Sequence, residues 1–166
     1  AEKQALNGRS IDGRYHGLAV GCFIEGGAAG PKEMARLEIN DDGSISVFMG
    51  SSAVGQGVET VFAQIAADAL EIPMDRIRWV HHGSTAYVSD GYGAYHSRSV
   101  VMGGSALLDA ANNFKAALNE AAAQRLGCSA SEITFSEDKV SAPGGKSLPL
   151  SAFAGLTKEG AFLNKK

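Results

Sequence analysis

The sequence predicts an α+β domain. A small mixed or antiparallel sheet carries two long helices on one face, in the order βββ-α-β-α-ββ. Three observations predict it. Short apolar runs at 18–24, 35–39 and 44–49 are separated by turn-forming residues, as strands are. Over 57–71 the period changes: Val58, Val61, Phe62, Ile65, Ala66, Ala69 and Leu70 mark one helical face. The same period returns between residues 97–99 and Leu126, where Leu107, Ala110, Ala111, Phe114, Leu118, Ala121 and Ala122 form a stripe.

Residues 1–15 are polar and read as a lead-in to the domain of residues 16–166. Residues 18–24 read as a buried strand, broken by Gly26-Gly27-Ala28-Ala29-Gly30-Pro31. Asn40-Asp41-Asp42-Gly43 is a hairpin turn between the strands at 35–39 and 44–49, and the three strands make an antiparallel meander. Pro73 ends the first helix. Residues 77–80 are a short strand, followed by a polar loop rich in Gly and Tyr over 82–96. Gly127 stands where a helix C′ glycine belongs, and Ser129 with Glu132 has capping-box spacing. Residues 133–135 and 139–142 pair as a hairpin, 150–156 form a last short helix, and Lys165-Lys166 is a solvated tail.

Composition bounds the function. The 166 residues are 45% apolar and 20% charged, an ordinary globular balance. Fifteen basic against 18 acidic residues give a net charge of −3, which argues against a nucleic-acid groove. No apolar run reaches membrane-span length, and the first residues open no signal peptide, so the expectation is a cytoplasmic protein. Cys22 and Cys128 match no disulfide or metal framework and read as two buried thiols. His81 and His82 are adjacent, so a strand would point them to opposite faces. Glycine is the anomaly: 21 of 166 residues, against a usual share of about 7%, gathered at 21–30, 50–57, 83–104 and 144–145.

Two of those clusters feed helix starts. Gly50-Ser51-Ser52-Ala53-Val54-Gly55-Gln56-Gly57 joins a strand to a helix N-terminus. Unpaired N–H groups and the helix dipole make such an end a site for anions, phosphates above all. Gln56 adds a neutral donor and acceptor. Gly-Lys-Ser/Thr is absent, so this is not a Walker loop. Gly91-Tyr92-Gly93-Ala94-Tyr95-His96-Ser97-Arg98-Ser99 also runs into a helix, with Ser97 and Ser99 as caps or phosphate donors and Arg98 as a phosphate or carboxylate clamp. The plain alternatives are tight turns, simple capping, a surface Arg98 and a loop His96 bonded to backbone. If the helices lie side by side, both ends face one anionic ligand.

Gly55-Gln56-Gly57-Val58-Glu59-Thr60-Val61-Phe62-Ala63-Gln64 resembles the Gly-Gln-Gly-x-x-Thr-x-x-x-Gln segment of the xanthine dehydrogenase/aldehyde oxidase family, in its large molybdopterin-binding subunit. Gly83-Ser84-Thr85, Gly93-Ala94-Tyr95-His96-Ser97-Arg98-Ser99 and Gly103-Gly104-Ser105-Ala106 resemble that family's next elements, in the same order and spacing. The resemblance runs from about Gly17 to Ala111 and more loosely beyond. It implies that Gln56 reaches a molybdenum-molybdopterin cofactor, the cytosine dinucleotide form being one option. It implies that Val54, Gly55 and Gly57 offer nearby backbone, and that Tyr95, His96, Ser97, Arg98 and Ser99 wrap the pterin and its phosphate. It implies that no protein side chain need coordinate the metal.

The implied parent is a molybdenum hydroxylase akin to xanthine dehydrogenase, aldehyde oxidase or carbon monoxide dehydrogenase. It places a water-derived oxygen on an aldehyde or N-heterocycle, a small-molecule substrate. Its partners would be the rest of the molybdopterin subunit, with iron–sulfur clusters and FAD on further subunits or domains. The sequence departs from the family at His96, where a small residue is usual, and at Gly83-Ser84-Thr85, where Gly-Asp-Thr is common. The catalytic glutamate of the family has no equivalent, since Glu159-Gly160 has the wrong order and context. The expectation is therefore an inactive fragment or small subunit of a split enzyme. The alternatives are a non-redox phosphate- or nucleotide-binding module and a structural subunit.

Overall fold

A computed structural model of the chain describes residues 2–88 and 90–164. The tail at Lys165 and Lys166 lies outside them. In chain order the elements are α1 (Glu2–Leu6), β1 (Ser10–Ile11), β2 (Arg14–Tyr15), β3 (Lys32–Ile39), β4 (Ile45–Met49), α2 (Val58–Leu70), β5 (Ile77–His81), α3 (Ser105–Leu126), β6 (Thr134–Ser136), β7 (Lys139–Ser141), β8 (Ser147–Pro149) and β9 (Thr157–Leu163). The α+β class and the two long helices are as expected.

The central sheet runs β5-β4-β3-β9. β4 pairs antiparallel with β3 through the 40–43 turn, where Asn40 C=O accepts from Gly43 N–H at 2.9 Å. β5 lies parallel to β4 because α2 carries the chain back across the sheet. The sheet is therefore mixed. β3 alternates, burying Glu33, Ala35, Leu37 and Ile39. Leu37, Ile39, Ile45, Val47 and Met49 form one core with Phe62, Ala66 and Leu70 of α2 and Leu107, Phe114 and Leu118 of α3.

Residues 18–24 correct the expected meander. They form no strand: Ile24 is 99% exposed, Val20 90% and Phe23 84%. The place beside β3 is taken by β9, in a register running from Lys32 opposite Leu163 to Glu38 opposite Thr157. Sequence reading missed β9 because its residues alternate poorly and only Gly160 is buried. That glycine is what seats it. A β-carbon on Gly160 would stand 2.6 Å from both Ala106 O and Ala110 Cα, so β9 and α3 touch backbone to backbone. Cys22, in the unpaired segment, is exposed and not the buried thiol expected, while Cys128 is half-buried.

The remaining corrections are local. The lead-in holds α1 and the β1–β2 ladder. The hairpin of β6 and β7 gains β8 as a third strand. The short helix expected at 150–156 is a single 3-10 turn, Leu150–Phe153. Gly127 caps α3 in the left-handed region (φ 73°), donating to Ala123 O at 2.9 Å, and the Ser129–Glu132 capping box forms. Pro73 follows α2 as expected, with Glu71 (φ 59°) making the turn.

Candidate functional site

The site begins where β4 ends. Gly50 crosses the loop at 90–91 so closely that a β-carbon on it would stand 2.6 Å from Asp90 O and 2.7 Å from Gly91 Cα. Only glycine at both places permits this backbone crossing. Ser51 follows, fully buried, donating from Oγ to Glu33 Oε2 and Gly93 O at 3.3 Å each. The chain then turns through Gly55 (φ 98°) and Gly57 (φ 81°) into α2. Gln56 Oε1 accepts from Val54 N–H at 2.7 Å, which holds the tip of this loop.

The second loop carries backbone strain. His96 (φ 50°) and Ser97 (φ 49°) are consecutive non-glycine residues in the left-handed region. Such conformations persist where surroundings enforce them, commonly at functional sites. Arg98 enforces this one. Its N–H donates to Tyr95 O at 3.1 Å. Its side chain is fully buried, donating to Ala29 O at 2.7 Å, Gly93 O at 2.9 Å, Lys32 O at 2.7 Å and the Glu33 carboxylate, with Met102 Sδ at 3.7 Å. Glu33 is itself fully buried. Arg98 is thus neither a surface residue nor open to a ligand through its guanidinium. The carboxylate it clamps is internal.

Ser99 opens a turn of π-helix, Ser99–Gly104, that leads into α3. π-turns recur at functional sites. Neither Ser97 nor Ser99 caps the helix as expected, for the helix start has no side-chain cap bond. Ser97 is exposed and Ser99 half-buried. Gly103 lets Phe62 approach: a β-carbon there would lie 3.2 Å from its ring.

The two loops meet. One cavity of about 360 Å³ is lined by Val54, Gln56, Val58, Ala94, Tyr95, His96, Ser97, Arg98, Ser99 and Val100. Val58 is the first residue of α2, and Ser99 and Val100 open the π-turn, so two helix starts border one space. Among the described residues no carboxylate is on the lining. Gly55 and Gly57 shape the turn without lining it. Gly26 and Gly30 lie behind two of these residues: β-carbons there would lie 3.4 Å from His96 Nδ1 and 3.2 Å from Tyr95 Oη. Gly83, Ser84 and Thr85 line a separate cavity of about 270 Å³ with Gly50, Ser52 and Gly91.

Beside α2, Glu59 Oε1 and His82 Nε2 lie 3.1 Å apart, and the Glu59 carboxyl is held below its usual range by its own backbone N–H, then by His82. His81 stacks on Phe48 at 4.7 Å, so the two histidines do part. Among the described residues no cluster of His, Cys, Asp and Glu could hold a metal ion. Sequence reading missed Glu33, whose isolated position in a strand carried no signal. Its burial beside a loop arginine is a tertiary fact.

A strand-to-helix glycine turn and a strained loop wall one cavity at two helix starts, an arrangement whose N–H groups suit an anionic ligand. The molybdopterin cofactor-binding domain family matches residues 1–164, and the chain belongs to that family, within the xanthine dehydrogenase/aldehyde oxidase group. It is 40% identical over 100 residues to the 6-hydroxypseudooxynicotine dehydrogenase complex subunit gamma of Paenarthrobacter nicotinovorans, covering 60% of this chain and 12% of that one. It is 33% identical over 134 residues to the carbon monoxide dehydrogenase large chain of Afipia carboxidovorans, covering 74% and 16%. Among solved structures, CO dehydrogenase from Oligotropha carboxidovorans superposes with a TM-score of 0.67 at 28% identity, over 80% of this chain and 18% of that one. Quinoline 2-oxidoreductase from Pseudomonas putida 86 gives 0.65 at 26% identity, over 81% and 19%. The chain spans less than a fifth of the length of these relatives.

Proposed function

We propose that this domain forms one wall of a molybdopterin site in a molybdenum hydroxylase. The observation that carries the reading is the single cavity shared by Gln56 and residues 95–99. The donor set suits such a group. The Gln56 amide, the Ser97 and Ser99 hydroxyls and two helix starts offer hydrogen bonds and partial positive charge, and no carboxylate opposes a phosphate. Val54, Tyr95 and Val100 give apolar surface for a flat ring system. Bound there, the molybdenum group supplies two-electron redox chemistry. The chain's own residues bind and orient it: Gln56 from the first loop, Tyr95 to Ser99 from the second, with Gly55 and Gly57 setting the turn. Arg98 takes part from beneath, by fixing the loop.

The proposed substrate class is an aldehyde or, favoured by relatives named for nicotine, nicotinate and quinoline, an N-heterocycle. The cytosine dinucleotide form of the cofactor belongs to this proposal. So do iron–sulfur and flavin partners; relatives named as subunits and chains of larger complexes support partners in general. A cytoplasmic location accords with two free cysteines. Among the described residues no helix is long and apolar enough to cross a membrane. The family's catalytic glutamate has no counterpart among these residues, so we propose that the domain by itself does not turn over substrate.

The test measures molybdenum by mass spectrometry and released pterin by fluorescence in the assembled enzyme, wild type against Gln56→Ala. The expected result is near-stoichiometric cofactor in the wild type, reduced in the variant. Neither metal nor pterin, from a host that makes the cofactor, would overturn the reading. A bound nucleotide would favour a non-redox binding module.

A further inference from the structure

The seven residues from Leu18 to Ile24 have the composition of a buried strand and the setting of an open one. Val20, Phe23 and Ile24 are 84–99% exposed. Among the described residues no backbone group from Ala19 to Ile24 has a hydrogen-bond partner. Both ends are nevertheless pinned. Leu18 N–H donates to Asn7 Oδ1 at 2.9 Å. Beyond the segment, Asn164 Nδ2 donates to Ala28 O at 2.9 Å, and Arg98 Nε holds Ala29 O. The segment is thus held out from the domain at fixed points, and it leads through Gly26 and Gly30 to the wall of the cavity.

Unpaired backbone with large apolar side chains is a template for strand addition. Extended, it would place Leu18, Val20, Cys22 and Ile24 on one face, and Ala19, Gly21 and Phe23 on the other. Both sides of β3 are filled, by β4 and β9, so the segment has no place there. We propose that residues 18–24 become a β-strand by adding to a sheet edge of the remaining polypeptide of the molybdenum-binding subunit. Relatives for which this chain matches only 12–17% of the length argue for that occupant, because they carry several times this length of further chain, continuous with this domain, that could supply a sheet edge. The inference rests on the reading of the chain as one part of such a subunit. It makes the strand a joint between the cofactor wall and its neighbour.

The test uses the assembled enzyme. Hydrogen exchange is read at the amides of 18–24, alkylation is read at Cys22 in a Cys128→Ser background, and cross-links from Cys22 identify the neighbour. The expected result is exchange slowed at least about 100-fold relative to the denatured protein, since paired strands open rarely. Cys22 would be shielded, and its cross-links would reach the remainder of the subunit. Val20→Lys with Ile24→Lys, altering only exposed side chains of this domain, would return Cys22 to free alkylation. Fast exchange and free alkylation in the wild type would overturn the inference. So would pairing with a second copy of this chain, or with its own β5 or β9. Molybdenum and pterin are measured on the same sample. Cofactor present with 18–24 exchanging freely sinks this inference alone, whereas protection without cofactor sinks the functional reading alone.

Discussion

The guanidinium of Arg98 and the carboxylate of Glu33 form an ion pair in which both side chains are fully buried, joining the second loop of the cavity to the start of β3. Removing one partner of such a pair leaves a desolvated charge, at a cost of about 3–5 kcal/mol. Glu33→Gln and Arg98→Met are each expected to lower the urea midpoint sharply, and the double variant to cost less than their sum by at least about 1 kcal/mol. Urea unfolding of the four proteins measures the coupling. Additive losses would show that the pair does not hold the loop.

Gly50 and Gly91 predict a purely steric sensitivity. Neither has a positive φ, so alanine is excluded by contact and not by conformation. Gly91→Ala drives a methyl into the Gly50 carbonyl, and Gly50→Ala drives one into the Glu33 carboxylate. Each is expected to destabilise by about 1–3 kcal/mol, the usual range for overpacking, and to lower bound pterin. Gly55→Ala makes the contrast, because a β-carbon there meets open space and only the φ of 98° resists it. Equal midpoints for Gly91→Ala and wild type would refute the crossing.

These contacts mark what the sequence could and could not reveal. Both helices were legible because their apolar stripes repeat locally, and so was the turn at 40–43. The two loops were legible as glycine clusters before helix starts. Their meeting in one cavity depended on how α2 and α3 pack, which was only conditional in one dimension. The run at 18–24 was read correctly as apolar and wrongly as paired, because pairing is a property of two segments. β9 was hidden for the converse reason: Gly160 is selected by the backbone of Ala106 and Ala110, and no alternation announces that. Arg98 looked like a ligand clamp because its partner Glu33 lies 65 residues away in sequence.

Ser97 and Ser99 line the cavity but do not cap the helix. Their replacement by alanine is therefore expected to leave the unfolding free energy within about 0.5 kcal/mol of wild type, as surface substitutions do. Pterin content should fall several-fold. Had they been caps, each would cost about 1 kcal/mol. Loss of stability without loss of pterin would return both serines to a structural role.

His96 offers a test of strain against function. Its φ of 50° costs an L-residue roughly 1–2 kcal/mol, which glycine avoids. His96→Gly is expected to match or raise the urea midpoint, and His96→Val, β-branched and so worse suited to this region, to lower it. If the strain serves the cavity, His96→Gly keeps the fold while its pterin content drops. A His96→Gly variant clearly less stable than wild type would mean that the imidazole's contact with Gly26 outweighs the backbone cost.

Four surface carboxylates are held below their ordinary range: Asp42 by the hydroxyl and then the backbone N–H of Ser44, and three glutamates that together contribute to the acid response of the fold. Glu59 is held below its ordinary range by its own backbone N–H and then by His82, Glu71 by its hydrogen bond from Lys115 at 2.9 Å, and Glu132 by the backbone N–H and then the hydroxyl of Ser129. A lowered folded-state value means that the unfolded chain binds the proton first, so stability rises with pH through this range. The contribution is complete above the ordinary value of 4.5 and fades as pH falls through the lower folded values. The urea midpoint is therefore expected to be flat in these groups near neutrality and to decline below about pH 4.5, the reference range for glutamate. Glu59→Gln, Glu71→Gln and Glu132→Gln combined should flatten that decline while lowering the midpoint at pH 7. A triple variant with the same acid slope as wild type would assign acid sensitivity to other groups.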